Sequence, residues 1–371
     1  QLKNRNLTMS FIPQIEPWID DEELQYLKRV IESTYVTEHD LTEEFERRIC
    51  KLTGSKYAIS VCNGTAALFC CLKALGIGEG DEVIVPNLTF IATANAVLLA
   101  GAEPIFCDVT KDTFSIDLNK AKDCLSTKTK AIMPVHLYGF SADMEDILEF
   151  SHKHGLKVVE DAAQGVGVSH NGKPVGTFGN LGILSFYGNK TITCGEGGII
   201  LTDDVKLRDK CYRLKNHGRA DKGVFIHDTI GFNFCFTEMQ AAVGLAQLDK
   251  LPSIIQKKRA IFDSYIDSLH NYLSPLRALS HTSPVYWFTS FLTPDKKELK
   301  DYLSNYNVQT RDFFYPLDLQ PCYKDMSFRC SFDTSHDLYE KGISFPSSYN
   351  LSEDQQNTII ELVKDFYECG I

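Results

Sequence analysis

No pair of cysteines in this chain has the Cys-x-x-Cys spacing of a metal-binding or redox motif, although cysteine itself is plentiful. The 12 cysteines are scattered over 371 residues, and no histidine accompanies them at zinc spacing. Cys62, Cys70, Cys71 and Cys107 sit in apolar runs, where a free cysteine behaves as a small buried hydrophobe. That usage fits a reducing cytosol better than a disulfide framework, and no metal site is expected. Long apolar runs are missing too: none reaches the ~18 residues of a membrane span. The polar start from Gln1 to Asn6 lacks the character of a signal peptide, so a soluble, cytoplasmic protein is expected. Excess positive charge is absent as well. The net charge of −11 argues against a nucleic-acid surface and leaves room for a small anionic ligand, which reads only local charge. Internal repeats, charge runs and low-complexity linkers are lacking, so the parts of the chain are expected to pack together rather than hang on tethers.

What is present is ordinary globular composition, 43% hydrophobic and 23% charged, in a chain longer than one typical core. A large domain over residues 1–250 and a smaller one over 251–371 are expected. Pro13 and Pro17 keep the start extended. Asp20 or Asp21 then caps a helix to about Ser33, and Asp40, with Glu43 three residues on, caps a second from Leu41 to Gly54. Strands are expected at 57–61, 81–86, 103–109, 131–137, 156–161, 181–186 and 198–202. Helices alternate with them at 66–75, 118–125, 143–154 and 204–216. That alternation predicts an α/β fold with a mostly parallel sheet and right-handed crossovers. Helices at 238–249 and from 251 to about 273 lead to strands at 285–292 and 307–315 and helices at 296–305 and 351–368, an α+β unit.

The stretch from Ser185 to Gly198 holds a lone lysine, Lys190, between two apolar strands and beside glycine-rich backbone. Burial can bring a lysine to a usable amine pKa, as Schiff-base chemistry requires; a solvated loop lysine fits the same stretch equally well. Upstream, the strand 156–161 ends in Asp161, at the sheet edge where ligands bind in open α/β folds. An aspartate for a pyridinium nitrogen and a lysine for an imine are the protein groups that pyridoxal phosphate needs. Asn63-Gly64-Thr65 opens a helix directly after a strand, an arrangement that suits a phosphate. On pattern alone, a plain helix cap is the commoner meaning. His136 fits a structural or a pocket role alike. His152 and His154, two apart on a helix, face different directions and are expected at the surface.

Glu160-Asp161-Ala162-Ala163-Gln164, followed by Ser185-Phe186-Tyr187-Gly188-Asn189-Lys190 and Gly195-Glu196-Gly197-Gly198, resembles the sugar aminotransferases of the DegT/DnrJ/StrS family. The resemblance implies a fold type I pyridoxal-phosphate enzyme with a seven-stranded sheet. It implies that Lys190 binds the cofactor and moves protons, while Asp161 pairs with the ring nitrogen. Gln164 would meet the ring hydroxyl and Phe90 would stack on the ring. Gly64, Thr65 and Ser185 would hold the phosphate, together with Asn233 from a second subunit, which makes a homodimer necessary. The glycine-rich stretch is most similar to that of perosamine-type enzymes. These act at C4 of nucleotide-linked 4-keto-6-deoxyhexoses, with glutamate as amino donor. A 3-keto aminotransferase would share every cofactor residue. A regulatory protein that binds cofactor without turnover is a further reading, against which the Lys190, Asp161 and Gln164 set counts. Four positions depart from the family's usual pattern: Thr34-Tyr35 where Gly-Trp is common, Cys235 where arginine is usual, and Asp318 where histidine is usual.

Overall fold

The computed structural model describes residues 10–219 and 223–369; the polar start lies outside the described residues. Two helices precede the sheet. α1 (Asp21–Ser33) begins in a capping box, with the Asp20 carboxylate accepting from the Glu22 N–H at 3.0 Å and the Glu23 carboxylate accepting from the Asp20 N–H at 2.8 Å. α2 (Asp40–Thr53) ends at Gly54 in the left-handed conformation, φ 75°. Its start corrects the sequence expectation. His39, not Asp40, is the capping residue, and its side chain caps nothing. The N–H groups of His39, Leu41 and Thr42 donate instead to the buried Glu238 carboxylate, each at 2.8 Å, and the Thr42 hydroxyl joins them at 2.7 Å.

Strands and helices then alternate: β1 (Tyr57–Val61), α3 (Gly64–Ala74), β2 (Glu82–Pro86), α4 (Ala92–Leu99), β3 (Glu103–Cys107), α5 (Leu118–Cys124), β4 (Thr129–Ile132), α6 (Met144–His154) and β5 (Lys157–Asp161). A short hairpin of β6 (Ser169–His170) and β7 (Lys173–Pro174) precedes β8 (Leu181–Ser185), β9 (Gly198–Thr202) and α7 (Val205–Lys215). Seven of these strands form one sheet in the order β1-β9-β8-β5-β4-β2-β3. β9 runs antiparallel to both its neighbours, and the remaining pairs are parallel. Side chains alternate between two cores. Val83, Val85, Ala131 and Val159 pack beneath α3 and α4, while Ile84, Ile132 and Val158 pack beneath α5 and α6. Burial on both faces explains why these strands read as continuous apolar runs.

β4 stops at Ile132 rather than 137. Pro134 has no N–H for the ladder, yet the chain stays beside β5: the Pro134 carbonyl accepts from the Asp161 N–H at 2.9 Å, and the His136 N–H donates to the Asp161 carbonyl at 3.0 Å.

α8 (Glu238–Leu269) is a single 32-residue helix with Pro252 inside it, so the 250/251 division falls within one element. Beyond it come β10 (Ser274–Pro275), β11 (Thr282–Ser283), β12 (Thr289–Leu292), α9 (Lys296–Asn305), β13 (Arg311–Asp312), α10 (Asp333–Lys341), β14 (Gly342–Phe345) and α11 (Glu353–Cys369). β10, β12, β14 and β13 make an antiparallel sheet. β11 leaves that sheet and pairs with β6. The strands are shorter than the sequence suggests, and α10 carries no sequence expectation. The lead-in segment also belongs to this unit, since Ile12 bridges to Val308 and packs in its apolar cluster.

Glu238→Ala strands the buried amides of α2, and a loss of about 3 kcal/mol of stability is expected in urea denaturation. Glu238→Gln, which keeps an acceptor oxygen, is expected to lose less. An unchanged midpoint in the alanine variant would remove Glu238 from this role.

Candidate active site

The register of three strands brings the site's parts into line. Val61 at the end of β1 lies opposite Gly198 at the start of β9, and Gly198 lies opposite Ser185 at the end of β8. The chain leaving β1 turns over this row into α3. A Cβ on Gly198 would sit 2.5 Å from the Asn63 carbonyl oxygen, and one on Gly64 would sit 3.1 Å from the Ser185 Cβ. Two glycines therefore let the N-terminus of α3 settle against the sheet edge. The Asn63 side chain caps the helix by accepting from the Ala66 N–H at 2.9 Å. The first-turn amides of Gly64 and Thr65 have no partner within the helix and suit an anion.

A cleft of about 880 Å³ opens there, lined by Gly64, Thr65, Phe90, Asp161, Gln164, Ser185 and Lys190. Its size is that of a small-molecule site. Asn233 does not line it: the residue is exposed and bridges to Asn216, although Phe232 and Phe234 on either side of it reach the wall.

Asp161 is 5% exposed. Its carboxylate accepts from the Thr93 hydroxyl at 2.7 Å and from the Ala163 N–H at 3.1 Å. Burial raises its pKa above the ordinary carboxylate range, against the pull of these hydrogen bonds and of Lys190. Lys190 sits in the turn after β8, its N–H donating to the Tyr187 carbonyl at 2.9 Å. Burial lowers its ammonium pKa to about 8, and Asp161 opposes that fall. The ammonium lies 4.3 Å from the centre of the Trp287 ring. Trp287 in turn donates its indole N–H to the Asn189 carbonyl at 2.6 Å, which pins the turn to the C-terminal unit. The Gln164 side-chain oxygen accepts from the Tyr138 N–H at 2.6 Å, leaving the amide nitrogen as the end available to a ligand. Phe90 is 53% exposed, with its ring centre 5.7 Å from that of Phe314.

Other residues singled out in the sequence fall elsewhere. His136 is structural: it is fully buried, its Nδ1 accepts from the Ala142 N–H, and its Nε2 meets Glu160 at 3.1 Å. Tyr35 stacks on His39, and neither it nor Thr34 lines this cleft. Asp318 also stays off the wall. Its carboxylate accepts from the Asn87 amide at 2.6 Å and lies 2.9 Å from the His336 Nε2. The Cys235 thiol donates to the Lys215 carbonyl at 3.6 Å. Three contributors carry no sequence expectation: Thr93, Trp287 and the cleft-lining Arg311. Thr89 and Thr93, hydrogen-bonded at 3.0 Å, are a polar pair four residues apart in an apolar segment. That pattern is a usable signal; nothing local marks Trp287.

Fold and site together define a fold type I, pyridoxal-phosphate-dependent sugar aminotransferase. Residues 17–364 match the DegT/DnrJ/EryC1/StrS aminotransferase family, and the chain belongs to that family. It is 39% identical over 363 residues to the GDP-perosamine synthase of Escherichia coli O157:H7, a match covering 97% of this chain and 99% of that protein. Against the GDP-perosamine synthase of Vibrio cholerae it is 36% identical, with 96% and 100% covered. Among solved structures, the aminotransferase from Psychrobacter cryohalolentis is similar at 30% identity and a TM-score of 0.90, covering 98% of this chain and all of that one.

Labelling of Lys190 by an amine-specific reagent in the cofactor-free chain is expected to rise with pH through a midpoint of about 8. Asp161→Asn removes the charge that holds the proton on, so the midpoint is expected to move lower. A midpoint near that of an exposed lysine would contradict the burial of this amine.

Proposed function

We propose that this enzyme moves an amino group from glutamate to C4 of a nucleotide-linked 4-keto-6-deoxyhexose, giving a perosamine- or viosamine-type product. One observation carries the reading: Lys190 and Asp161, both shifted by burial, share a cleft with the glycine-opened start of α3. The two GDP-perosamine synthases, similar along nearly the whole chain, support the substrate class.

The residues fit pyridoxal phosphate. The cradle that a Cβ at Gly64 would crowd, with the amides of Gly64 and Thr65 and the Ser185 hydroxyl, suits the phosphate. Phe90 offers an exposed ring face for stacking, and the Gln164 amide nitrogen suits the ring hydroxyl. When bound, the cofactor supplies an electron sink for negative charge at the substrate carbon. Asp161 would pair as a carboxylate with the protonated ring nitrogen and keep it protonated. A buried carboxylate with a raised pKa gains most from a cation brought to it, and Thr93 and Ala163 already fix its orientation. Lys190 would hold the cofactor through its amine and would carry the proton on and off the substrate carbon. An amine with a pKa of about 8 both gives and takes a proton near neutral pH. Arg311 brings a planar guanidinium to the wall, suited to a phosphate or carboxylate of the substrates.

The same proposal places the work in the cytoplasm and in a homodimer, the exposed Asn233 of each chain completing the phosphate site of the other. The unit up to residue 250 would bind the cofactor, and that over 251–371 would close the cleft.

Two measurements test this. The purified holoenzyme's visible absorption band is expected to disappear on adding glutamate and return with a 4-keto, but not a 3-keto, nucleotide sugar. Lys190→Ala is expected to lose at least about 100-fold in turnover; a band that glutamate leaves untouched would defeat the proposal. Mixing inactive Lys190→Ala and Asn233→Ala chains is expected to restore about a quarter of the sites, because each hybrid dimer holds one intact site. No recovery after subunit exchange would remove Asn233 from the neighbouring site.

A further inference from the structure

His170 is fully buried, and among the described residues neither of its ring nitrogens has a hydrogen-bond partner. Buried polar atoms are nearly always satisfied, so an imidazole with both ends orphaned calls for an explanation. The contrast with His136, equally buried and bonded at both nitrogens, is direct. What surrounds His170 is a donor set. Thr282 of β11 pairs opposite His170 on β6, which sets the preceding His281 against it, ring centres 4.6 Å apart and planes at 84°. Asp143, in the capping position of α6, makes no capping bond; its Oδ1 lies 3.9 Å from the His170 Nε2. One donor atom from each of the three residues lies within 4.8 Å of the others.

We propose that Asp143, His170 and His281 form a binding site for a divalent transition-metal ion of the zinc type. Two imidazoles and one carboxylate are the nitrogen and oxygen ligands such ions take, with a fourth position left for water. Bonds of about 2.0–2.1 Å to a shared ion require donors roughly 3.4 Å apart, so the side chains close by about 1 Å on binding. Asp143 and His281 are partly exposed, which gives the ion a route from solvent. None of the three lines the catalytic cleft. The ion's role is therefore that of a clamp, fastening the chain between β10 and β11 to the β6–β7 hairpin and the start of α6.

This inference runs against the expectation of no metal site. The three residues are too far apart in sequence to leave a spacing signature. Cys107, Cys124 and Cys330 also gather within 4.8 Å, but their thiols already donate to the carbonyls of Asp117 and Phe106. They leave no orphaned atom to explain.

Cobalt(II) titrated into chelator-treated holoenzyme is the test. One ion per chain is expected, with visible ligand-field absorption, no near-ultraviolet thiolate band, and displacement by zinc. Zinc is expected to raise the melting temperature and leave the cofactor's own absorption unchanged. His170→Phe, which fills the buried space, and His281→Ala, which changes a partly exposed residue, are each expected to weaken binding on the order of 100-fold and abolish the thermal shift. Absence of stoichiometric uptake, uptake unchanged in both variants, or a thiolate band that assigns the ion to the cysteines would each overturn the proposal.

Discussion

The catalytic end of this molecule depends on one close approach: the start of α3 lying against the aligned residues Val61, Gly198 and Ser185. Nothing larger than glycine fits at 198, where a Cβ would meet the Asn63 carbonyl at 2.5 Å. The antiparallel insertion of β9 between β1 and β8 makes the row possible, because it brings the beginning of one strand beside the ends of two others. Helix amides, a serine hydroxyl and the turn bearing Lys190 then converge on one cleft. The sheet is thus a positioning device, and its apolar faces fix the angle at which the polar parts meet.

Burial does the electrostatic part. Lys190 is pushed down and Asp161 pushed up by the same cause, loss of water, and each partly restrains the other's shift. A site tuned by desolvation has to be closed on several sides. Trp287, from beyond α8, covers Lys190 and holds its turn through the Asn189 carbonyl. The C-terminal unit thus helps determine the state of an amine that belongs to the other sheet.

What could be read from the sequence follows from distance along the chain. Strands buried on both faces, the αL glycine at 54 and the strand–glycine–helix junction at 61–64 are local patterns, and they hold in the fold. So does the convergence of seven of the eight named site residues on one cleft, since each lies at or just beyond the end of a strand or at the start of a helix. What escaped is remote. Asp40 has the right local spacing for a cap, yet Glu238, nearly two hundred residues away, takes the amides because a buried carboxylate with four donors outcompetes an exposed one. β4 ends early for a local reason, Pro134, that an apolar count passes over. Trp287, Arg311 and the His170 cluster come together only through tertiary pairing.

The replacement at 318 is the most informative departure from the family's usual pattern. A histidine there would present an imidazole directly. Asp318 is instead fixed between the Asn87 amide and the His336 ring, which sits on α10. An imidazole thus stands at this edge of the fold on α10, with Asp318 as its anchor. Arg311, Phe90 and Phe314 are groups that the C-terminal unit and the start of α4 bring to the cleft wall itself. With the Phe90 face given to the cofactor ring in the proposed function, Phe314 and the Arg311 guanidinium would offer a surface for a flat base or sugar ring carrying phosphate. On the proposed function, recognition of the nucleotide would fall to stacking and charge at that wall, separate from the chemistry proposed for Lys190.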